Sequence, residues 1–182
     1  FLPDLDSIPP DVADKAKIMF INYPNNPTAA TCDLDFFKKA VEFAGRHNIV
    51  VAHDNAYCEL CFDGYEAPSI LEVDGAMECA VEFHSMSKSF NMTGWRIGFA
   101  AGATEAVAAL GKVKSNIDSG AFEAVQLAGI EALDRGEEDI KGLRKMYETR
   151  RDVLLQGLDS LGIGYRKPKG SFYVWAKAPE NM

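Results

Sequence analysis

Four short segments hold the side chains whose types and spacing suit chemistry: Asn25-Asn26-Pro27-Thr28, Asp54-Asn55-Ala56-Tyr57, Ser85-Met86-Ser87-Lys88 and Thr93-Gly94-Trp95-Arg96-Ile97-Gly98. Together they offer a carboxylate, an amine, amides, hydroxyls and a guanidinium. A partly deprotonated lysine amine is a nucleophile and a base, and hydroxyls with an arginine and backbone N–H groups make an anion site. Each segment alone has a plainer reading. Asn-Pro makes turns, Asp54 can cap a helix, and a serine-rich stretch with a lysine is ordinary loop. All four in this order, with Arg96 eight residues past Lys88, make coincidence a poor explanation.

The surrounding elements give these segments a common address. Ile18 to Tyr23, Ile49 to His53 and Ala80 to His84 are apolar, β-rich runs. The first two are nearly continuous, as expected of parallel strands inside a sheet covered on both faces. Asn26, Asp54 and Lys88 each follow one of the three runs, and in open α/β sheets ligands bind beyond the carboxyl ends of the strands. Between the first two runs, Leu34, Phe37, Val41 and Ala44 recur at helical spacing, Asp33 can cap the start, and Gly45 to Asn48 ends the element. The unit is therefore β-α-β. Ile97 to Gly102 reads as another strand whose glycines imply close backbone approach. Helices are expected from Thr104 towards Val113 and from Phe122 to Leu133. A long amphipathic one starts at Glu137, with Ile140, Leu143, Tyr147, Leu154, Leu158 and Leu161 on its apolar stripe. A segment around Tyr165 and the run Phe172 to Trp175 read as strands of a smaller sheet. The fold class is α/β: a central, largely parallel sheet with flanking helices, followed by the start of a small α+β domain.

Composition narrows the function classes. A net charge of −8 argues against a nucleic-acid surface, which needs clustered Lys and Arg. No apolar run approaches the roughly 20 residues that span a bilayer, and the beginning of the chain lacks a basic, then hydrophobic, signal segment, so a cytoplasmic location is expected. Phe1 opens directly on the approach to a strand and Met182 follows closely on another, so an incomplete chain is expected. There is no internal repeat and no low-complexity segment.

Cys58 and Cys61 have the spacing of half a zinc site, but no second matched pair accompanies them, and the four cysteines read as small buried hydrophobes. No metal is expected. His53 and His84 read as packed structural histidines, and Trp95 and Phe90 as core and loop anchors.

The NNPT, DNAY and SMSKSFNMTGWRIG segments, with Tyr23-Pro24 ahead of the first, resemble the class I/II aminotransferases, the fold-type I pyridoxal-phosphate enzymes. The resemblance spans essentially the whole chain. It implies pyridoxal 5'-phosphate as cofactor, Lys88 as the catalytic Schiff-base lysine, and Asp54 as partner of the pyridine nitrogen. Asn26 and Tyr57 would bond the phenolic oxygen, and Ser85, Ser87 and Arg96 the phosphate. Residues 1–136 would form part of the cofactor-binding large domain, and 137–182 the interdomain helix and part of the small domain. An amino acid and a 2-oxo acid would be the substrates and a homodimer the working form. Within the family the likeness points to the branch acting on LL-diaminopimelate or on alanine and aspartate.

Two departures stand out. Ala29 occupies a position where glycine usually follows NNPT, so the turn must avoid positive φ or carry strain. The family's upstream phosphate loop, its stacking aromatic and its downstream carboxylate-binding arginine have no counterpart in these 182 residues. Two alternatives remain: a carbon-sulfur lyase of the same fold, or a truncated domain without activity of its own. An unpaired strand edge would favour oligomerisation or marginal stability.

Overall fold

The computed structural model describes residues 1–179; residues 180–182, the last of the expected 137–182 segment, lie outside the described residues. Four strands, β1 (Ile18–Asn22), β2 (Val50–Asp54), β3 (Ala80–Ser85) and β4 (Gly98–Gly102), form one sheet in that order. The first three run parallel and β4 runs antiparallel to β3. The helices are α1 (Pro10–Ala13), α2 (Leu34–His47), α3 (Ala76–Cys79), α4 (Met86–Ser89), α5 (Thr104–Lys114), α6 (Glu123–Arg135) and α7 (Glu137–Ser160).

The ends of α2 follow from its sequence. The Asp33 carboxylate accepts a hydrogen bond from Phe36 N at 2.9 Å, and Asn48 closes the helix in the left-handed conformation at φ 52°. Phe36, Phe37, Ala40, Val41, Phe43 and Ala44 are buried along one stripe. They pack with Ile21, Tyr23, Val51 and Ala80 on one face of the sheet. Fully burying a side chain such as Phe37 contributes about 2 kcal/mol.

Strand register sorts the sheet into rows. Ile21, His53, Glu82 and Ala101 form one row, and Asn22, Asp54, Phe83 and Ala100 the next. Successive rows point to opposite faces. The His53 row faces α2, whose Phe37 meets the His53 ring edge-on at 4.8 Å. The Asp54 row faces the other way.

Three expectations need correction. β1 is an edge strand rather than an interior one, and its Phe20, on the Asp54 face, is 78% exposed. No described element covers that end of the face. Trp95 is half-exposed rather than core, because it sits in a tight turn outside the sheet. The small sheet is reduced to single bridges, Cys61 with Gly170 and Tyr165 with Ala176. Pro168 cannot donate to a ladder, and Ser171, at φ 65°, breaks the extended run ahead of Phe172.

The glycines of β4 allow the close approach expected of them. A Cβ on Gly98 would lie 2.4 Å from His84 O, and one on Gly102 2.2 Å from Ala80 O.

α7 is fastened to the loop after β2 at two places. Arg144 donates through Nε to Glu59 O at 3.0 Å and through Nη2 to Glu59 Oε2 at 3.1 Å. Two turns later, the buried Arg151 guanidinium grips Asp63 at 2.7 and 3.1 Å, donates to Pro168 O at 3.1 Å and lies over the Phe62 ring. Arg151 holds the Asp63 carboxyl below its ordinary range, chiefly through these hydrogen bonds.

Candidate active site

Because β1, β2 and β3 are parallel, their carboxyl ends share one edge, and the segments carrying Asn26, Asp54 and Lys88 all start from it. Asn22, the last residue of β1, stitches the first two together. Its Nδ2 donates to Asp54 O at 2.7 Å, and its Oδ1 accepts from Asn26 N at 2.8 Å and from Asn25 Nδ2 at 3.2 Å. Asn25 in turn accepts from Thr28 N at 3.1 Å and Thr28 Oγ1 at 2.6 Å. The turn closes with Ala29 at φ 54°. The chain thus accepts the left-handed strain at a non-glycine residue instead of avoiding it, at a cost of about 1 kcal/mol.

Asn26 and Tyr57 are brought together, with Asn26 Nδ2 donating to the Tyr57 hydroxyl at 3.4 Å. Tyr57 is buried, and its hydroxyl also lies 3.2 Å from that of Tyr173. Burial first, with the nearby Asp54 charge adding to it, pushes the Tyr57 phenol above its ordinary range. The Asp54 carboxylate is exposed on the open face and makes no hydrogen bond or ion pair among the described residues.

Ser85 ends β3 opposite Gly98, and Lys88 stands in the single turn α4 that follows. That turn is closed by Met86 N donating to Ile97 O at 3.3 Å and Met92 N to Met86 O at 3.3 Å. Ser87 is buried, and its carbonyl accepts from Thr93 Oγ1 at 3.2 Å. The Lys88 amine is half-buried and has no hydrogen-bond or ion-pair partner among the described residues. Arg96 stands apart: at φ 54°, exposed, it donates back to Thr93 O at 3.1 Å and makes no hydrogen bond to Ser85, Ser87 or Lys88.

Beneath this edge lies a network that sequence reasoning missed. Glu82, 1% exposed, accepts from His53 Nδ1 at 2.9 Å, His84 Nε2 at 2.7 Å, Ser69 Oγ at 3.0 Å and Ile70 N at 3.0 Å. His53 Nε2 meets Tyr23 O at 3.0 Å, and His84 stacks on Phe99. Burial alone would raise the Glu82 carboxyl, but hydrogen bonds from the two histidines overcome it and hold the group below the carboxylate range. His53 is packed as expected and His84 partly so, and their shared acceptor, Glu82, is the residue sequence reasoning missed. Asn22, a polar residue closing an apolar run, was the one local signal available for the stitch.

Of the four cysteines expected to be buried, Cys32 and Cys61 are, while Cys58 and Cys79 are only partly so. Burial pushes Cys58 up to about 12 and Cys61 up to about 11, and Cys61 Sγ donates to Cys58 O at 3.0 Å. No cluster of metal-ligating side chains is present among the described residues. A cavity of about 1210 Å³ lies between the N-terminal segment and α2, lined by Asp4, Asp33, Lys39 and Arg46 among others. It contains none of the residues at the strand edge. No described helix is long and apolar enough to cross a membrane.

Known proteins resemble this chain in sequence and in fold. The chain is 55% identical over 179 residues to LL-diaminopimelate aminotransferase of Moorella thermoacetica and 53% identical over 180 residues to that of Aquifex aeolicus. These alignments cover 98% and 99% of this chain and 46% of each relative. The chain thus spans about half the length of the curated relatives it matches. Among solved structures, substrate-bound BacF from Bacillus subtilis superposes with a TM-score of 0.95 at 41% identity, over 100% of this chain and 46% of that one. A probable N-succinyldiaminopimelate aminotransferase from Thermus thermophilus gives 0.92 at 38%, over 100% and 49%. With residues 1–181 also matching the family described as aminotransferase class I and II, the chain belongs to that family.

Proposed function

We propose that this chain supplies the pyridoxal-phosphate side of an active site that transfers an amino group between an amino acid and a 2-oxo acid. The observation that carries the reading is a pair of unspent charges. The Asp54 carboxylate and the Lys88 amine lack partners among the described residues, on segments leaving neighbouring parallel strands at one edge. Pyridoxal phosphate fits that donor set. Its ring nitrogen suits a carboxylate, its phenolic oxygen suits the Asn26 amide and Tyr57 hydroxyl, and its aldehyde suits an amine. Its phosphate suits Ser85, Ser87 and an Arg96 released from Thr93.

When bound, the cofactor supplies an electron sink for charge developing at the substrate Cα. Asp54 holds a proton at the ring nitrogen, so the sink stays effective. Lys88 would hold the cofactor at its aldehyde end and would move a proton at the substrate Cα. Asn26 and Tyr57 orient the ring through its phenolic oxygen. Residues 1–136 are the cofactor-binding part of this assembly, and 137–182 the helix and segment leading into a smaller domain. In this reading the amino donor is LL-diaminopimelate, which the names of the relatives support, ahead of alanine or aspartate, and the working form is a homodimer.

The test is the visible spectrum of the chain with pyridoxal phosphate, before and after borohydride reduction, for wild type and Lys88→Ala. A band in wild type that borohydride traps at Lys88, and that Lys88→Ala lacks, is the expected result. No band in either protein overturns the assignment for this chain.

A further inference from the structure

Tyr173 comes from far along the chain, yet its hydroxyl meets Tyr57 at 3.2 Å. Its seat is built. Ser171 N donates to Leu60 O at 2.9 Å and Phe62 N to Lys169 O at 2.8 Å, so the 169–171 backbone is paired on both sides with the loop after β2. Gly170 packs so closely on Pro24 that a Cβ there would stand 2.8 Å from the ring. The Tyr57 ring packs edge-on against Phe172 at 5.4 Å and Tyr173 at 5.7 Å, and Tyr147 of α7 stacks on Phe172.

A tyrosine hydroxyl has one proton to give and two lone pairs with which to accept. The Asn26 amide nitrogen can only donate, so it occupies one lone pair of Tyr57. If Tyr57 donated to Tyr173, its single proton would be spent inside the protein. If Tyr173 donates to Tyr57, both lone pairs are filled, and the Tyr57 proton is free to point towards a ligand at the strand edge. Accepting two hydrogen bonds also polarises the O–H and makes it a stronger donor.

We propose that Tyr173 is a positioning residue: it donates to Tyr57 and so commits the Tyr57 proton to the phenolic oxygen of bound pyridoxal phosphate. This rests on the cofactor reading above. The ring oxygen carries its fullest negative charge when the linkage nitrogen to Lys88 is deprotonated, so a stronger Tyr57 donor favours that high-pH form. Removing the Tyr173 hydroxyl weakens the donor and moves the pH midpoint of the visible band upward. The other titratable groups facing Tyr57 are Asp54 from β2, which acts on it by charge, and Tyr147 from α7 in the same aromatic cluster.

The experiment is a pH titration of the visible band of the chain loaded with pyridoxal phosphate, for wild type, Tyr173→Phe and Tyr147→Phe. Tyr147→Phe keeps the same ring cluster without touching the Tyr57 hydroxyl. The expected result is a midpoint higher by roughly half a pH unit or more in Tyr173→Phe, with Tyr147→Phe matching wild type. An unchanged midpoint in Tyr173→Phe overturns the proposal and leaves the cofactor reading standing. Equal shifts in both variants overturn it too, because packing rather than the hydroxyl would be responsible. Absence of a band in wild type overturns the cofactor reading and this proposal with it.

Discussion

The two faces of the sheet treat the same chemical group in opposite ways. Glu82, on the face covered by α2, has its two carboxylate oxygens engaged by two histidines, a serine hydroxyl and a backbone N–H. The Asp54 carboxylate, one row away on the opposite face, makes no hydrogen bond or ion pair with the described residues. A buried carboxylate survives only where hydrogen bonds replace its lost water, whereas an exposed one keeps that water and needs no protein partner. The face under α2 therefore ties the strands together through one satisfied carboxylate, and the opposite face leaves the other to solvent.

Removing the most heavily bonded group is the strongest way to test that contrast. Glu82→Ala leaves His53 and Ser69 without their acceptor in a closed interior, and is expected to cost about 3 kcal/mol or more, read by urea unfolding. The same carboxylate gives stability a pH signature. Its value in the folded chain lies below the ordinary one, so its contribution is present above the usual carboxylate range and is lost as pH falls below that range. A Glu82→Gln variant should unfold with a flatter dependence on acid, and an identical acid profile would break the comparison.

A smaller effect is expected at the helix that does the covering. Asn48 ends α2 in the left-handed region, which costs asparagine less than alanine. Asn48→Ala should cost about 1 kcal/mol and Asn48→Gly almost nothing, measured by the same unfolding curves. The smallest change in stability belongs to the open face. Asp54→Asn should leave unfolding within about 0.5 kcal/mol of wild type while weakening the visible band with pyridoxal phosphate. A large loss of stability there would mean that Asp54 is as structural as Glu82.

Much of this was legible in the sequence because it is local. The first three apolar runs, the Asp33 cap, the stop at Asn48 and the polar clusters after each strand are all written within a few residues of where they act. Glu82 escaped notice because it sits inside a regular strand, and its partners His53 and Ser69 lie 29 and 13 residues earlier. Tyr173 lies 116 residues from Tyr57, and nothing in the intervening periodicity announces the meeting. The edge position of β1 was equally hidden. A continuous apolar run records that a strand is suited to burial, and says nothing about which elements are present to bury it.

The twin attachments of α7 have a mechanical consequence. Arg144 and Arg151 are seven residues apart, two turns along one side of a helix about 36 Å long. One clasp alone would leave that rod free to roll about its own axis. Two clasps on the same side, to Glu59 and to Asp63, oppose that roll and also fix the tilt of the helix against the loop. The loop that begins with Tyr57 therefore sets the direction in which the helix runs.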